Sequence, residues 1–282
     1  MLDVYKSCYK LKGQPFRLSP DYRFSFSHRT YDEAQSYLKY ATNEGEGFVV
    51  ITGAPGTGKT TLIATLLAEL DKTRVKVANL VNEQLDSREL VDRVNDAFGL
   101  PADNDVAPLP KLMRFLNSNH DEGGRAILIV DEAQCLTNAA LEELRLLSNI
   151  QNYDGLLLQV FLLGQDPLLD MIRAPGMEQL QQRLIAASHL EPLKLKETVA
   201  YVEHRLHKVG WQNDPSFSED SMNLIHKFSG GVPRRINLIC HRLFIRGGLE
   251  EKHKLQGEDA LHVIVELHKE GLLTPGVSRE LE

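Results

Sequence analysis

The sequence has few cysteines and no long apolar stretch, and each shortage excludes something. Cys8, Cys135 and Cys240 are scattered and odd in number. They offer neither a disulfide framework nor a metal-ligand spacing, so free buried thiols in a reducing cytoplasm are the expectation. No apolar run approaches the ~20 residues that span a bilayer, and the first residues lack the apolar stretch of a signal peptide. The expected location is the cytoplasm, with any work at the inner face of a membrane depending on recruitment by another protein or a surface contact. No stretch is strongly basic either. Residues 1–45, 46–190 and 191–282 carry formal charges of +2, −8 and −1, which make up the net −7. That balance disfavours a nucleic-acid partner, although local basic patches remain open. There is no internal repeat and no low-complexity tract.

What is present is ordinary for a soluble globular protein: 282 residues, 42% hydrophobic and 25% charged. That length suits about two domains of roughly 100–200 residues each. The chain is organised around Gly53-Ala54-Pro55-Gly56-Thr57-Gly58-Lys59-Thr60, which fits the phosphate-loop pattern G-x-x-x-x-G-K-[ST]. Phe48 to Thr52 before it reads as a buried parallel strand, and Thr60 to Leu70 after it as a helix. Glycines at 53, 56 and 58 allow backbone dihedrals closed to other residues, which brings N–H groups against phosphate oxygens. The helix start at Lys59, Thr60 and Thr61 adds unsatisfied amides and a positive dipole end. Lys59 can reach the β- and γ-phosphates of a nucleotide, and the Thr60 hydroxyl can serve a magnesium ion.

A second motif is Ala126-Ile127-Leu128-Ile129-Val130-Asp131-Glu132, an apolar strand that runs straight into two acids. The carboxyl end of such a strand is where open α/β sheets bind ligands. Asp131 is the candidate magnesium ligand and Glu132 the candidate activator of the attacking water. A further buried strand, Leu156 to Leu163, leads to Gln165, placed to touch a γ-phosphate or the lytic water. Asp166-Pro167 beside it is a helix start.

Around these motifs, Tyr31 to Tyr40 reads as a helix and Val75 to Leu80 as a strand. Asp86 to Glu89 reads as a capping-box helix start, Pro110 to Asn117 as a helix, and Thr137 as a cap. Met177 to Leu184 reads as helical and includes Arg183, with a short strand at His189-Leu190. From Glu197 onward only helices are expected, one of them beginning Pro233-Arg234-Arg235. Phe16 is either a core anchor or, with Pro15, a wall of an adenine pocket.

The order of these features, phosphate loop, Ile127 to Glu132, Gln165, Arg183 and Gly230-Gly231-Val232-Pro233-Arg234, resembles that of AAA+ ATPases. No NKxD guanine motif is present, which points to ATP over GTP. Within that class the chain resembles the ExeA/GspA group, which includes the MshM ATPase of pilus biogenesis and ATPases encoded beside exopolysaccharide and protein-sorting loci. The stretches that carry this likeness run from Leu11 to Phe16, Pro20 to Phe26 and Gly45 to Phe48. They continue through Asp131 to Gln134, Leu180 to Leu184, His204 to Leu206 and Gly231 to Asn237.

The resemblance implies an α/β P-loop NTPase core with a parallel sheet flanked by helices, followed by a small all-helical lid. The expected division is an extension at 1–45, a nucleotide-binding core at 46–190 and a lid at 191–282. By resemblance, Gln165 is the first sensor and Arg234 the second. Arg183 is the arginine finger that reaches a neighbouring subunit, with Arg173 the other arginine nearby. That in turn implies a homo-oligomeric ring, most often a hexamer, with ATP and Mg2+ bound and a cell-envelope assembly protein as partner. The chain ends soon after its last expected helix, so the cell-wall binding of some longer relatives is not implied. DNA-associated ATPases of the transposition target-selection kind form the alternative, and a non-hydrolysing switch is disfavoured by the presence of both Asp131 and Glu132.

Overall fold

The computed structural model describes residues 4–19, 21–45, 47–70, 73–81, 87–102 and 105–273. In chain order the elements are α1 (Val4–Cys8), α2 (Arg29–Glu44), β1 (Phe48–Gly53), α3 (Lys59–Glu69), β2 (Val75–Leu80), α4 (Ser87–Ala97), α5 (Pro108–Asp121), β3 (Arg125–Val130), α6 (Asn138–Leu147) and β4 (Leu158–Gly164). They continue as α7 (Pro167–Arg173), α8 (Glu178–Gln181), β5 (Leu184–Leu190), α9 (Leu195–His207), β6 (Ser216–Phe217), α10 (Glu219–Ser229), α11 (Pro233–Leu249), β7 (Lys254–Leu255) and α12 (Gly257–Lys269). The capping box expected at Asp86 begins outside the described residues.

The chain divides into two compact units: residues 29–55 with 62–190, and residues 1–28 with 56–61 and 191–282. The first is an α/β unit whose five strands all run parallel in the order β2-β3-β4-β1-β5. Alternate residues of each central strand face opposite layers, as the period of two requires. Val50, Leu128, Val130, Val160 and Leu162 pack with α4, α5 and α6 on one face. Val49, Ile51, Ile127, Ile129 and Phe161 pack with α2 and α3 on the other. Both faces are therefore covered, which is why these strands read as unbroken apolar runs. β1 is flanked by β4 and β5, while the chain leaving it crosses to β2 at the far edge. The strand order thus reverses at β1, and ligands of open α/β sheets bind outside the carboxyl ends of strands at such a reversal.

One expected helix is corrected here. Met177 to Leu184 is helical only from Glu178 to Gln181, and Leu184 already opens β5. Arg183 therefore lies in the connection, and its carbonyl accepts the N–H of Phe48 at 2.9 Å. That pairing with β1 overrides a local pattern that suits a helix.

The second unit gathers the helices α9 to α12 with α1 and the segment that follows it. The all-helical expectation needs a small amendment, because β6 and β7 form a two-residue parallel pair. Pieces that short leave no periodic signal. Phe16 is 1% exposed and meets the Phe244 ring edge-on at 5.2 Å, so it is a core anchor and not a pocket wall. Arg205, 7% exposed, ties the early segment down. Its Nε donates to the Pro15 carbonyl, its Nη1 donates to Tyr201 Oη at 2.9 Å, and its guanidinium lies 4.8 Å from the centre of the Phe24 ring. Tyr201 in turn donates to Asn237 Oδ1 at 3.0 Å. Burial pushes the Tyr201 phenol above its ordinary pKa. A guanidinium this deep is tolerated because it donates to the Pro15 carbonyl and to Tyr201 and an aromatic face covers it.

The thiols differ from expectation in one respect. Cys240 is buried, but Cys8 is half-buried and Cys135 is exposed on a short 3-10 turn.

Candidate functional site

At the carboxyl end of β1, Thr52 lies beside Gly164 of β4 and His189 of β5 in the parallel register. Thr52 Oγ1 and His189 Nδ1 are 3.1 Å apart. The chain then enters the loop through Gly53, Ala54 and Pro55. Gly56 and Gly58 have φ of +86° and +109°, conformations that favour glycine. At Gly58 a Cβ would meet nothing within 4 Å, so the dihedral alone calls for glycine. Gly56 is constrained twice, because a Cβ there would lie 2.6 Å from Arg234 Cβ. The N–H of Arg234 donates to the Gly56 carbonyl at 3.2 Å, so the first turn of α11 grips the loop backbone. Thr57 and Lys59 are 3% and 6% exposed, while Thr60 is exposed and Thr61 half-buried. Arg234 and Arg235 are exposed.

The acidic pair follows β3. The Asp131 N–H donates to the Leu80 carbonyl at 3.0 Å, and Asp131 Oδ1 accepts the Glu132 N–H at 2.9 Å. Glu132 has φ 52° and ψ 37°, in the left-handed region. A non-glycine residue held there costs about 1–3 kcal/mol, and such strain gathers at functional sites. The Glu132 carboxylate meets two side-chain amides. Its Oε2 accepts from Gln134 Nε2 at 2.6 Å and from Gln165 Nε2 at 3.2 Å. Gln134 Oε1 accepts the backbone N–H of Gln165 at 2.9 Å. β3 and β4 are neighbours, with Val130 opposite Leu162, and this brings Glu132 and Gln165 together from positions 33 residues apart.

The structure therefore assembles Asp131, Glu132 and Gln165 at one edge of the sheet, the edge where β1 hands the chain to the loop. It assembles Gly56 with Arg234 in the helical unit. Arg183 stands apart from the first group, at the amino end of the seven-residue β5. A strand of that length spans about 23 Å. Gln134 is the member that reading for chemistry passed over. Its position two residues past the acids was visible, but its tie to Gln165 runs between neighbouring strands and leaves no trace in local spacing. Among the described residues, no group of three or more His, Cys, Asp or Glu side chains is arranged to hold a metal. A carboxylate such as that of Asp131 is a donor that suits magnesium, which keeps waters and substrate phosphates as its other ligands.

Comparison with known proteins places this architecture in a class. Residues 42–172 match the family model described as AAA domain, a span that includes the loop, Asp131, Glu132 and Gln165. The fold is that of P-loop AAA+ proteins. The ORC2 protein of Aeropyrum pernix in its ADP form aligns with a TM-score of 0.68 at 17% identity, covering 94% of this chain and 75% of that one. The RuvB Holliday junction branch migration motor of Thermotoga maritima aligns with a TM-score of 0.58 at 18% identity, covering 90% and 74%. At such identities the likeness is one of fold alone.

Sequence takes the assignment further. The chain is 39% identical over 255 residues to General secretion pathway protein A of Aeromonas hydrophila, which covers 89% of this chain and 46% of that protein. It is similar to the AAA-type proteins of the ExeA/GspA kind, and it spans about half the length of that relative. Among the described residues, no helix is long and apolar enough to cross a membrane.

Proposed function

We propose that this chain binds ATP with Mg2+ and hydrolyses it, and that turnover drives or regulates the assembly of a cell-envelope machine for secretion, pilus or exopolysaccharide. The observation that carries the hydrolytic part is the Glu132 carboxylate, amide-bound to Gln134 and Gln165 at the carboxyl edge of the sheet where β1 feeds the phosphate loop.

Residues 46–190 act as the nucleotide-binding core and residues 191–282 as the lid, with residues 1–45 as an extension whose first 28 residues cluster with the helical unit. Main-chain amides from Gly53 to Thr61 cradle the phosphates, and Lys59 neutralises the β- and γ-oxygens. Thr60 and Asp131 hold the magnesium ion, which supplies charge neutralisation at the phosphates when bound. Glu132 takes the proton of the attacking water. Gln165 orients that water or the γ-phosphate, and Arg234 answers the nucleotide from the lid. Most of the acceleration then comes from positioning and fixed charge.

Arg183 acts on a neighbouring copy, which makes the working form a homo-oligomeric ring, a hexamer by family habit. Its distance from its own chain's Glu132 edge supports a role in trans. Recruitment to the inner face of the membrane goes through a partner protein.

Lys59→Ala is the test. Loss of a buried charge-assisted contact to phosphate is expected to weaken ATP binding by roughly 10–100-fold. Titration with a fluorescent ATP analogue reads this directly. Unchanged affinity rejects the nucleotide site.

A further inference from the structure

We propose that Gln134 is a positioning residue for hydrolysis: it aims the Glu132 carboxylate and ties it to the loop that carries Gln165. The inference rests on the ATPase reading above and deepens it.

The geometry leaves the amide of Gln134 one orientation. A carboxylate oxygen can only accept and a backbone N–H can only donate, so Nε2 must face Glu132 and Oε1 must face Gln165. Both arms are short, at 2.6 Å and 2.9 Å. Gln134 thus bridges two groups that come from different strands. The fold makes room for the bridge at Gly164, where a Cβ would lie 2.8 Å from Gln134 Oε1 and 2.7 Å from Leu168 Cδ2. Glu132 itself is held in the left-handed region at the head of the short turn that carries Gln134.

Gln165 shares the carboxylate. Its Nε2 sits 3.2 Å from the Glu132 Oε2 that Gln134 also binds. A γ-phosphate offers the Gln165 amide a more highly charged acceptor. When Gln165 turns to it, the Gln134 arm keeps Glu132 from swinging away, and the Gln134 grip on the Gln165 N–H keeps the two groups in register. Gln134 need not touch the substrate to do this. Its contribution falls on the chemical step and not on nucleotide binding.

The experiment compares Gln134→Met and Gln134→Glu in the full chain. Gln134→Met removes both arms at similar volume. Gln134→Glu keeps an acceptor for the Gln165 N–H but loses the donor to Glu132 and sets a like charge beside it. Both are expected to lower kcat about ten-fold or more, the scale of one charge-assisted hydrogen bond lost from a reacting group, with ATP Kd changed by less than about two-fold. In a Glu132→Gln background, Gln134→Met is expected to change the residual single-turnover rate by less than about two-fold, because the group it aims is already disabled.

A wild-type rate in Gln134→Glu would mean that Gln134 only holds the loop, and would overturn the proposal. So would a parallel loss of ATP affinity and melting temperature in Gln134→Met, or a further ten-fold loss in the Glu132→Gln background. A wild-type chain that binds ATP without turning it over removes the hydrolysis reading itself, and this inference with it.

Discussion

Glu132→Gln is expected to slow ATP hydrolysis by about 10²–10⁴-fold while ATP still binds, the range that separates a positioned general base from its absence. The substitution is nearly isosteric. A glutamine at 132 can still accept from the amides of Gln134 and Gln165 through its carbonyl, so the local geometry survives and only the charge and basicity go. The variant should therefore hold ATP unhydrolysed. Single-turnover hydrolysis, measured beside equilibrium binding of the same nucleotide, separates the two properties. Normal turnover in this variant would reject the role given to Glu132, and the base would have to be sought elsewhere along the carboxyl edge of the sheet.

The largest effect on stability is expected at Gly231. Its φ is +70°, and a Cβ built there would lie 2.0 Å from the carbonyl oxygen of Leu193. The obstacle is backbone, and it is fastened in place: the N–H of Leu193 donates to the Gly231 carbonyl at 2.9 Å. Neither side can yield without breaking that bond. Gly231→Ala should cost more than about 4 kcal/mol, the range kept for severe backbone and packing faults. The neighbouring Gly230 provides the control. It ends α10 with φ of +60°, but a Cβ there would meet nothing within 4 Å. Gly230→Ala should cost only about 1–2 kcal/mol, the strain of a left-handed alanine. Denaturant unfolding of the two variants side by side reads the difference. Equal losses would mean that the close approach at Leu193 does not matter.

The central strands were legible because burial on both faces writes itself as apolar runs. β2 was expected at Val75 to Leu80 and is found there, and β1 differs by one residue. β5 was mostly missed. It is an edge strand with small and polar residues, Ala186-Ala187-Ser188-His189, and only part of it is buried. Its existence depends on pairing with β1, which no local window contains. β6 and β7 are held by each other across 38 residues of chain and have no signature of their own.

The candidate site divides along the same line. The loop and the acidic pair are contiguous, and each residue type there has a chemical reason to be where it is. The hydrogen bonds that join Gln165 to Glu132 and Gln134 come from the strand order. So does the placement of Arg183 at the other end of β5, away from Glu132. The grip of Arg234 on Gly56 likewise needed the fold, since the sequence placed Arg234 only at a helix start and, by resemblance, as a second sensor.

The buried guanidinium of Arg205 has a practical consequence for anyone redrawing the ends of this chain. Its acceptor at Pro15 and its aromatic cover at Phe24 come from the first 28 residues, while Arg205 itself belongs to α9. A shortened gene starting at residue 29 would look harmless on a linear map, since every motif with obvious chemistry lies downstream. It would remove the backbone acceptor and the aromatic cover of a buried cation, and the damage would surface at Arg205, 190 residues from its lost partner Pro15.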